Sequence, residues 1–276
     1  MYEFFLKVHF ILAFIALVAL LNHLGRSGLD KLIFPIAALS IWGMNALVRL
    51  LIVLYRNTGG WQQRGSAGSA KITHFFDSAG ENVVSAMRVK LYLRRPQKIR
   101  PGQYYYLSFS DMGLRKRFQS HPYTIAWWDD SMRATSLSFL VQPHNGVSSD
   151  LIRRNSLRSV RIDGPYGKDL ELEKYETVIL VAKGIGIAGI IPYVRHLAYR
   201  KLSTGKAHEA YRRGLITRKI DVYWMLEDNA QEDWISDWII DLREKDSQKA
   251  SENFMLLIAE ITDSCTAYSN FHLLLS

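Results

Sequence analysis

One cysteine, Cys265, stands in 276 residues, so the chain has no intrachain disulfide framework and no all-cysteine metal site. Negative charge is scarce at the N-terminal end: between Phe4 and Leu54 the only acidic residue is Asp30. No basic stretch carries a nucleic-acid-binding motif. The net charge of +9 is therefore read as basic residues beside anionic lipid and anionic cofactors, with no nucleic-acid partner.

The mean hydropathy of −0.05 conceals a sharp division. Phe4 to Leu54 is almost entirely apolar, whereas the remainder has the mixed composition of a soluble α/β protein. Two apolar runs, Phe4 to Leu24 and Leu32 to Leu54, are each long enough to cross a hydrocarbon core as a helix at ~1.5 Å per residue. The first is too long for a signal peptide and lacks a small-residue cleavage site. A short polar turn from Gly25 to Lys31 separates them, which predicts an antiparallel helical hairpin. Lys7, Arg56, Arg64 and Lys71 outnumber Arg26 and Lys31 in the turn, which favours both chain ends in the cytoplasm.

His9 and His23 lie on the first of these helices. Their spacing ends within about 40° of a whole number of turns and spans roughly 21 Å along the axis, so both share one face, one near each side of a bilayer. A histidine inside a span is costly and usually functional. Each could supply an axial ligand to a haem; equally, His23 could be an interfacial residue and His9 a satisfied interior group.

After the Gly- and Ser-rich stretch that ends at Ala70 the periodicity shifts to two. Val83 to Leu93, Pro101 to Phe109, Ser120 to Ile125 and Ser136 to Val141 read as strands, with no helix before Val147, which predicts an antiparallel barrel. From Thr177 the pattern becomes strand–helix–strand: Thr177–Ala182, a helix to about Lys201, Ile220–Met225, a helix over Glu232–Glu244, and a strand from Asn253 to Ile261. That alternation predicts a parallel nucleotide-binding sheet. Gly184, Gly186 and Gly189 fall in its first strand-to-helix turn, where glycines let a backbone approach a pyrophosphate. No acidic residue follows about 20 positions later, as the dinucleotide fingerprint would have.

Taken in order, these residues resemble the C-terminal half of fungal ferric reductases and their NADPH oxidase relatives. Tyr2-Glu3-Phe4 with His9 and His23 is similar to the family's fifth transmembrane helix, whose histidine pair ligates two haems. Pro101-Gly-Gln-Tyr104 resembles a flavin-domain strand, and His121, Pro122, Tyr123 and Thr124 resemble the family's His-Pro-Phe-Thr flavin motif. Gly146 and Ser148 resemble the turn that approaches the flavin pyrophosphate. Asp163 with Gly164, Pro165, Tyr166 and Gly167, and the segment Ala182 to Gly189, resemble its two nicotinamide-nucleotide motifs. An aromatic at Tyr123 suits an isoalloxazine face and Thr124 its polar edge.

The resemblance implies a membrane oxidoreductase passing electrons from NAD(P)H through FAD and haem b to ferric or cupric ion. It implies a transmembrane hairpin at 1–57, a linker at 58–70, an FAD-binding β-barrel at 71–168 and a truncated, Rossmann-like NAD(P)-binding domain of ferredoxin reductase type at 169–276. The soluble domains would be cytoplasmic and the membrane the plasma membrane. Departures are equally specific. The helix with the partner histidines is not in this stretch, so other transmembrane helices or a homologous chain are expected partners. Cys265-Thr-Ala does not match the family's late Cys-Gly-Pro. Lys183 stands where glycine is usual. Glu227 stands where the oxidase branch has arginine, a carboxylate that suits ribose hydroxyls and repels a 2′-phosphate. NADPH is still the expected donor, with Arg200, Lys201, Arg218 and Lys219 as candidate counter-charges. Two other readings remain: a catalytically silent or regulatory membrane protein associating with a full-length homologue, and a haem-independent flavin diaphorase.

Overall fold

A computed structural model describes residues 2–58, 68–78, 80–112, 119–129, 133–144, 146–202, 214–247, 255–262 and 268–271. It falls into two compact units, Met1–Tyr55 and Arg56–Ser276.

The first unit holds helices α1 (Tyr2–Ser27) and most of α2 (Ile33–Asn57), joined through a 3-10 turn at Leu29–Leu32. Each is long and apolar enough to cross a membrane, and their apolar side chains are outward-facing: Phe10, Ile11, Phe14, Phe34, Ile41 and Trp42 are all more than half exposed. Such a helix pair is stable only where lipid or other helices replace water. Gly28, with φ of 133°, makes the break that residues with a Cβ resist. Within the helices Asn22 and Ser40 return their polar groups to the carbonyls of Val18 and Ile36, which removes their need for water.

The second unit contains three sheets. Strands β1 (Ala70–Asp77), β2 (Gly80–Gln97), β5 (Trp127–Trp128), β6 (Ala134–Val141) and β7 (Ser156–Leu157) form an antiparallel sheet in the order β5-β6-β2-β1-β7. Strands β3 (Tyr104–Phe109), β4 (His121–Thr124) and β8 (Val160–Tyr166) form a second, in the order β4-β3-β8. Alternation drives their apposition: Ile72, Met87, Val89, Leu91, Leu137 and Phe139 from one sheet and Tyr105, Leu107, Phe109, Val160 and Ile162 from the other fill one core. A five-residue helix, α3 (Val147–Leu151), follows Gly146.

The third sheet has the order β12-β11-β10-β9. Here β9 (Thr177–Lys183), β10 (Lys219–Leu226) and β11 (Met255–Thr262) run parallel, and β12 (Tyr268–Phe271) returns antiparallel. Helices α4 (Ile187–Leu202) and α5 (Ser236–Ser247) pack on it through Ile191, Val194, Leu197, Trp238 and Leu242. The antiparallel strands and the parallel sheet are not independent: Ala86, Ala126, Trp127 and Leu140 belong to the same core as Trp224 and Trp234. Trp127 stacks on Trp238 with ring centroids 5.3 Å apart. Arg88 lies over Trp238 and bonds Asp237 and the carbonyl of Trp234. The buried Arg195 guanidinium lies over Trp127, Trp128 and Tyr199 and donates to the carbonyl of Asp129. Aromatic faces can hold a desolvated cation where ordinary apolar packing could not.

Candidate functional site

Strand β4 carries the His-Pro-Tyr-Thr segment on one border of the three-stranded sheet, with no hydrogen-bonded strand on its far side among the described residues. Neighbouring residues of a strand point to opposite faces. His121 and Tyr123 therefore share one side and Pro122 and Thr124 the other, as their alternating exposure records. Tyr123 turns toward the core, edge-on to Phe109 and Phe139, and burial pushes its phenol up to about 12. A planar ring touched by both Tyr123 and Thr124 has to lie along the open border of β4 rather than flat on either face.

The outer face of the sheet is aromatic. Register pairs Tyr104 with Thr124, Tyr106 with Pro122 and Tyr104 with Tyr166. The rings of Tyr104, Tyr106 and Tyr166 lie with mutual centroid distances of 5.8 Å, and the Tyr166 hydroxyl donates to Asp163 Oδ1 at 2.7 Å. Tyr106 is the member that motif matching overlooks, although its spacing of two from Tyr104 places it on the same face. Gly164, Pro165 and Gly167 form the tight end of β8. A Cβ on Gly167 would stand 2.4 Å from the carbonyl oxygen of Gly102, so this loop closes only with glycine there.

Gly146 and Ser148 sit in the loop before and at the start of α3. The Ser148 hydroxyl donates to the His144 carbonyl and accepts from the His144 amide, both at 2.9 Å, so it holds the turn. Among the described residues, its chain neighbours aside, nothing lies within 4 Å of where a Cβ on Gly146 would stand.

The glycine cluster follows β9 at the carboxyl edge of the parallel sheet, the edge at which such sheets bind ligands. Its members differ. Gly184 adopts φ of 48°, its carbonyl accepts from Trp224 Nε1 at 2.9 Å, and a Cβ there would meet Glu227 Oε2 at 2.9 Å. Among the described residues a Cβ on Gly186 would meet only Ala182 Cβ, at 3.8 Å, and one on Gly189 open space, so neither is needed for close helix–strand packing. Glu227 follows β10 and its amide donates to Gln231 Oε1. Lys183 Nζ lies 3.7 Å from Glu227 Oε1.

The basic residues expected to assist at this edge are elsewhere. Arg218 and Lys219 precede or begin β10, a full strand away at ~3.3 Å per residue, and pair with Glu176 and Asp221. Arg200 is buried against Glu173 at 2.6 Å, and Lys201 lies beside it near the end of α4. They do not supply charge next to Glu227. Cys265 and the stretch 203–213 lie outside the described residues, as do 59–67 of the expected linker.

Asp169, Glu173 and His196 bring three ligand-type atoms within 4.8 Å of one another. Glu173 is already committed to Arg200, and Arg100 and Arg195 also act on the site, so three guanidinium groups already face its two carboxylates and a metal cation is disfavoured there. Burial, then Arg200, holds His196 down at about 4 against an ordinary 6.5; Glu173 opposes, and Arg195 and Arg100 add to the lowering. An unfolded imidazole takes up a proton between those values that the folded one refuses. Stability contributed by His196 is thus complete above about pH 6.5 and is lost as pH falls toward 4, by ~3 kcal/mol. Urea midpoints measured across that range should show the slope, and His196→Gln should flatten it.

His9 and His23 are exposed on α1, with His9 stacked against Phe5 and edge-on to Phe10. No other histidine occurs in residues 1–58, so these helices offer one imidazole per haem and two fully ligated haems do not fit within them.

An antiparallel, aromatic-faced domain shares a core with a parallel sheet that carries a glycine turn at its carboxyl edge, an arrangement suited to binding a flavin and a nicotinamide nucleotide. Residues 79–170 match the FAD-binding domain family, and residues 175–262 match the ferric reductase NAD binding domain. The chain thus carries an FAD-binding domain followed by a ferric reductase NAD binding domain, and its relatives include ferric reductases and NADPH oxidases. It is 26% identical over 217 residues to ferric reductase transmembrane component 4 of Saccharomyces cerevisiae, covering 74% of this chain and 26% of that protein. It is 27% identical over 188 residues to a superoxide-generating NADPH oxidase heavy chain of Dictyostelium discoideum, covering 62% and 34%. The chain thus spans about a quarter to a third of the relatives it matches. Among solved structures, ferredoxin-NADP+ reductase from Plasmodium falciparum with 2'P-AMP aligns at a TM-score of 0.47 and 16% identity, covering 73% of this chain and 76% of that one.

Proposed function

We propose that the chain is the membrane-anchored reductase portion of a metalloreductase, taking reducing equivalents from NADPH or NADH onto FAD for delivery to ferric or cupric ion. The observation that carries this reading is that the open border of β4, packed on the antiparallel core through Tyr123, and the Gly184 turn belong to one compact unit whose sheets are joined by a shared core. FAD supplies the step between a two-electron donor and one-electron acceptors. The ring would lie along β4, with Tyr123 on one side, Thr124 on the other, and the Tyr104, Tyr106 and Tyr166 face beside it. The open space above Gly146 leaves room for the flavin phosphates. The nicotinamide nucleotide would take the turn at Gly184 and the open surface over Gly186 and Gly189. Gly164, Pro165 and Gly167 would act by holding β8 against the Gly102 turn.

His9 and His23 would each ligate a haem b, the second imidazole of each coming from further transmembrane helices or a homologous chain. No electron step runs through haem in these two helices alone. The soluble unit would face the cytoplasm and the hairpin would lie in the plasma membrane as part of a multi-pass assembly. A visible spectrum of the chain purified from membranes tests this: flavin bands without a bis-histidine haem spectrum are expected for the isolated chain, and haem bands on co-expression with the complementary helices. Two low-spin bis-histidine haems in the monomeric chain would overturn the ligand assignment. Absence of both flavin and haem would favour the silent-partner reading.

A further inference from the structure

Strands β9 and β10 end side by side, with Lys183 paired to Met225 and Ala182 to Trp224. Two contacts lock the ends. The buried Trp224 indole donates to the Gly184 carbonyl at 2.9 Å, and the Glu227 amide donates to Gln231 Oε1 at 3.1 Å, with Gln231 itself buried. Backbone positions are therefore set, and the Glu227 carboxylate is left leaning over the turn. Its Oε2 stands 2.9 Å, and its Cδ 3.2 Å, from where a Cβ on Gly184 would be. Its Oε1 faces Lys183 Nζ at 3.7 Å.

Two independent features of this corner are built for an anion. The turn from Gly184 leads into α4, whose N-terminal dipole end favours an anion, although its Ile187 amide already donates to the Gly184 carbonyl. Lys183 adds a cation at the end of β9. What stands between them is a carboxylate belonging to the protein. We propose that Glu227 is a built-in occupant of the phosphate cradle and that Lys183 passes from it to the diphosphate of an incoming nicotinamide nucleotide. The proposal rests on the nucleotide-site reading above and gives Lys183 and Glu227 definite roles in it.

The pair suits exchange. Both side chains are about half exposed, at 57% and 49%, and a half-solvated ion pair of one charge each is held weakly. A diphosphate carries more charge than a carboxylate and offers more acceptors, so it competes well for the ammonium and for the helix amides. Glu227 then moves aside with no change to β10, because its backbone is held through Gln231. The latch acts on the diphosphate, which NADH and NADPH share. It lowers affinity for both and does not choose between them.

That separates the proposal from the reading in which Glu227 accepts hydrogen bonds from the adenosine ribose. Removing a ribose contact weakens NAD+ binding, whereas removing a competing carboxylate tightens binding of both nucleotides. Isothermal titration calorimetry on the full FAD-loaded chain in detergent, with NAD+ and NADP+ as probes, distinguishes them. Flavin content and thermal midpoint of each variant serve as fold controls. Glu227→Gln should lower Kd for both nucleotides about tenfold near 20 mM salt and by less than about threefold near 0.5 M, because exposed charges are screened. Lys183→Met should raise both Kd values about tenfold at low salt. In the Lys183→Met background the Glu227→Gln gain should shrink, since part of it consists of freeing Lys183. Unchanged or weaker binding by Glu227→Gln, with the parent binding normally, overturns the latch and leaves the nucleotide site standing. A folded, flavin-loaded parent that binds neither nucleotide overturns both.

Discussion

Replacing Gly184 with valine is expected to abolish nicotinamide-nucleotide binding while FAD content stays unchanged. The residue sits at φ of 48°, a left-handed conformation that a β-branched residue enters at a cost of ~1–3 kcal/mol. A Cβ would also meet the Glu227 carboxylate at 2.9 Å, and the valine methyls would project into the space a phosphate needs. The Glu227 carboxylate can swing clear, but the left-handed φ remains, and relieving it shifts the Gly184 carbonyl away from Trp224 Nε1, which breaks a buried hydrogen bond. Kd for NADP+ should rise at least ~30-fold, which corresponds to ~2 kcal/mol. Flavin should be retained, because the strands proposed to hold it are separate from this turn. Gly189→Ala is the internal contrast. It lies in α4 with open space around it, so the fold should tolerate the methyl or gain slightly from better helix propensity. Nucleotide binding within threefold of the parent in Gly184→Val would remove the glycine turn from the site.

Trp224→Ala should destabilise the parallel sheet strongly. The indole is fully buried, tilts against Trp234 at 6.4 Å and spans from the core to the Gly184 turn. Truncating a buried tryptophan costs ~3–5 kcal/mol through lost packing and the cavity left behind. For a soluble unit of this size that lowers the thermal midpoint by roughly 10 °C. Trp224→Phe separates the two roles, keeping most of the apolar contact and leaving the Gly184 carbonyl with the Ile187 amide as its remaining donor, at ~0.5–1.5 kcal/mol. Because the lost indole bond anchors the turn to the core, the phenylalanine variant should lose nucleotide affinity out of proportion to its stability. Differential scanning calorimetry paired with NADP+ titration reads both. A loss below ~1 kcal/mol for the alanine variant would mean that the core does not close on this residue.

What the chain discloses before folding follows from which physics is local. The apolar runs that became α1 and α2 were legible because crossing length and uninterrupted hydropathy need no tertiary context. Strands β3, β6, β9 and β10 were legible from alternation or apolar runs between turn residues. Strand β2 proved longer, Gly80–Gln97 instead of Val83 to Leu93, because pairing continues beyond the apolar alternation that marked its middle. Sidedness was not legible. Alternation puts Tyr123 and Thr124 on opposite faces, but only the apposed sheet decides that Tyr123 turns inward. Strand polarity did hold unused information: Arg218 and Lys219 come before a parallel strand, so they belong to the amino edge, remote from the ligand edge. Arg195 was hidden for a different reason. An arginine in an amphipathic helix reads as surface, and only the convergence of Trp127, Trp128 and Tyr199 accounts for its burial.

Anaerobic titration of the full chain, purified in detergent and saturated with FAD, tests the central claim most directly. The account predicts about one FAD retained per chain and bleaching of the visible flavin band by about one equivalent of NADPH or NADH, since a hydride carries the two electrons that reduce a flavin. A folded chain that retains no FAD, or one whose bound flavin stays oxidised in excess NADPH and NADH alike, would contradict it.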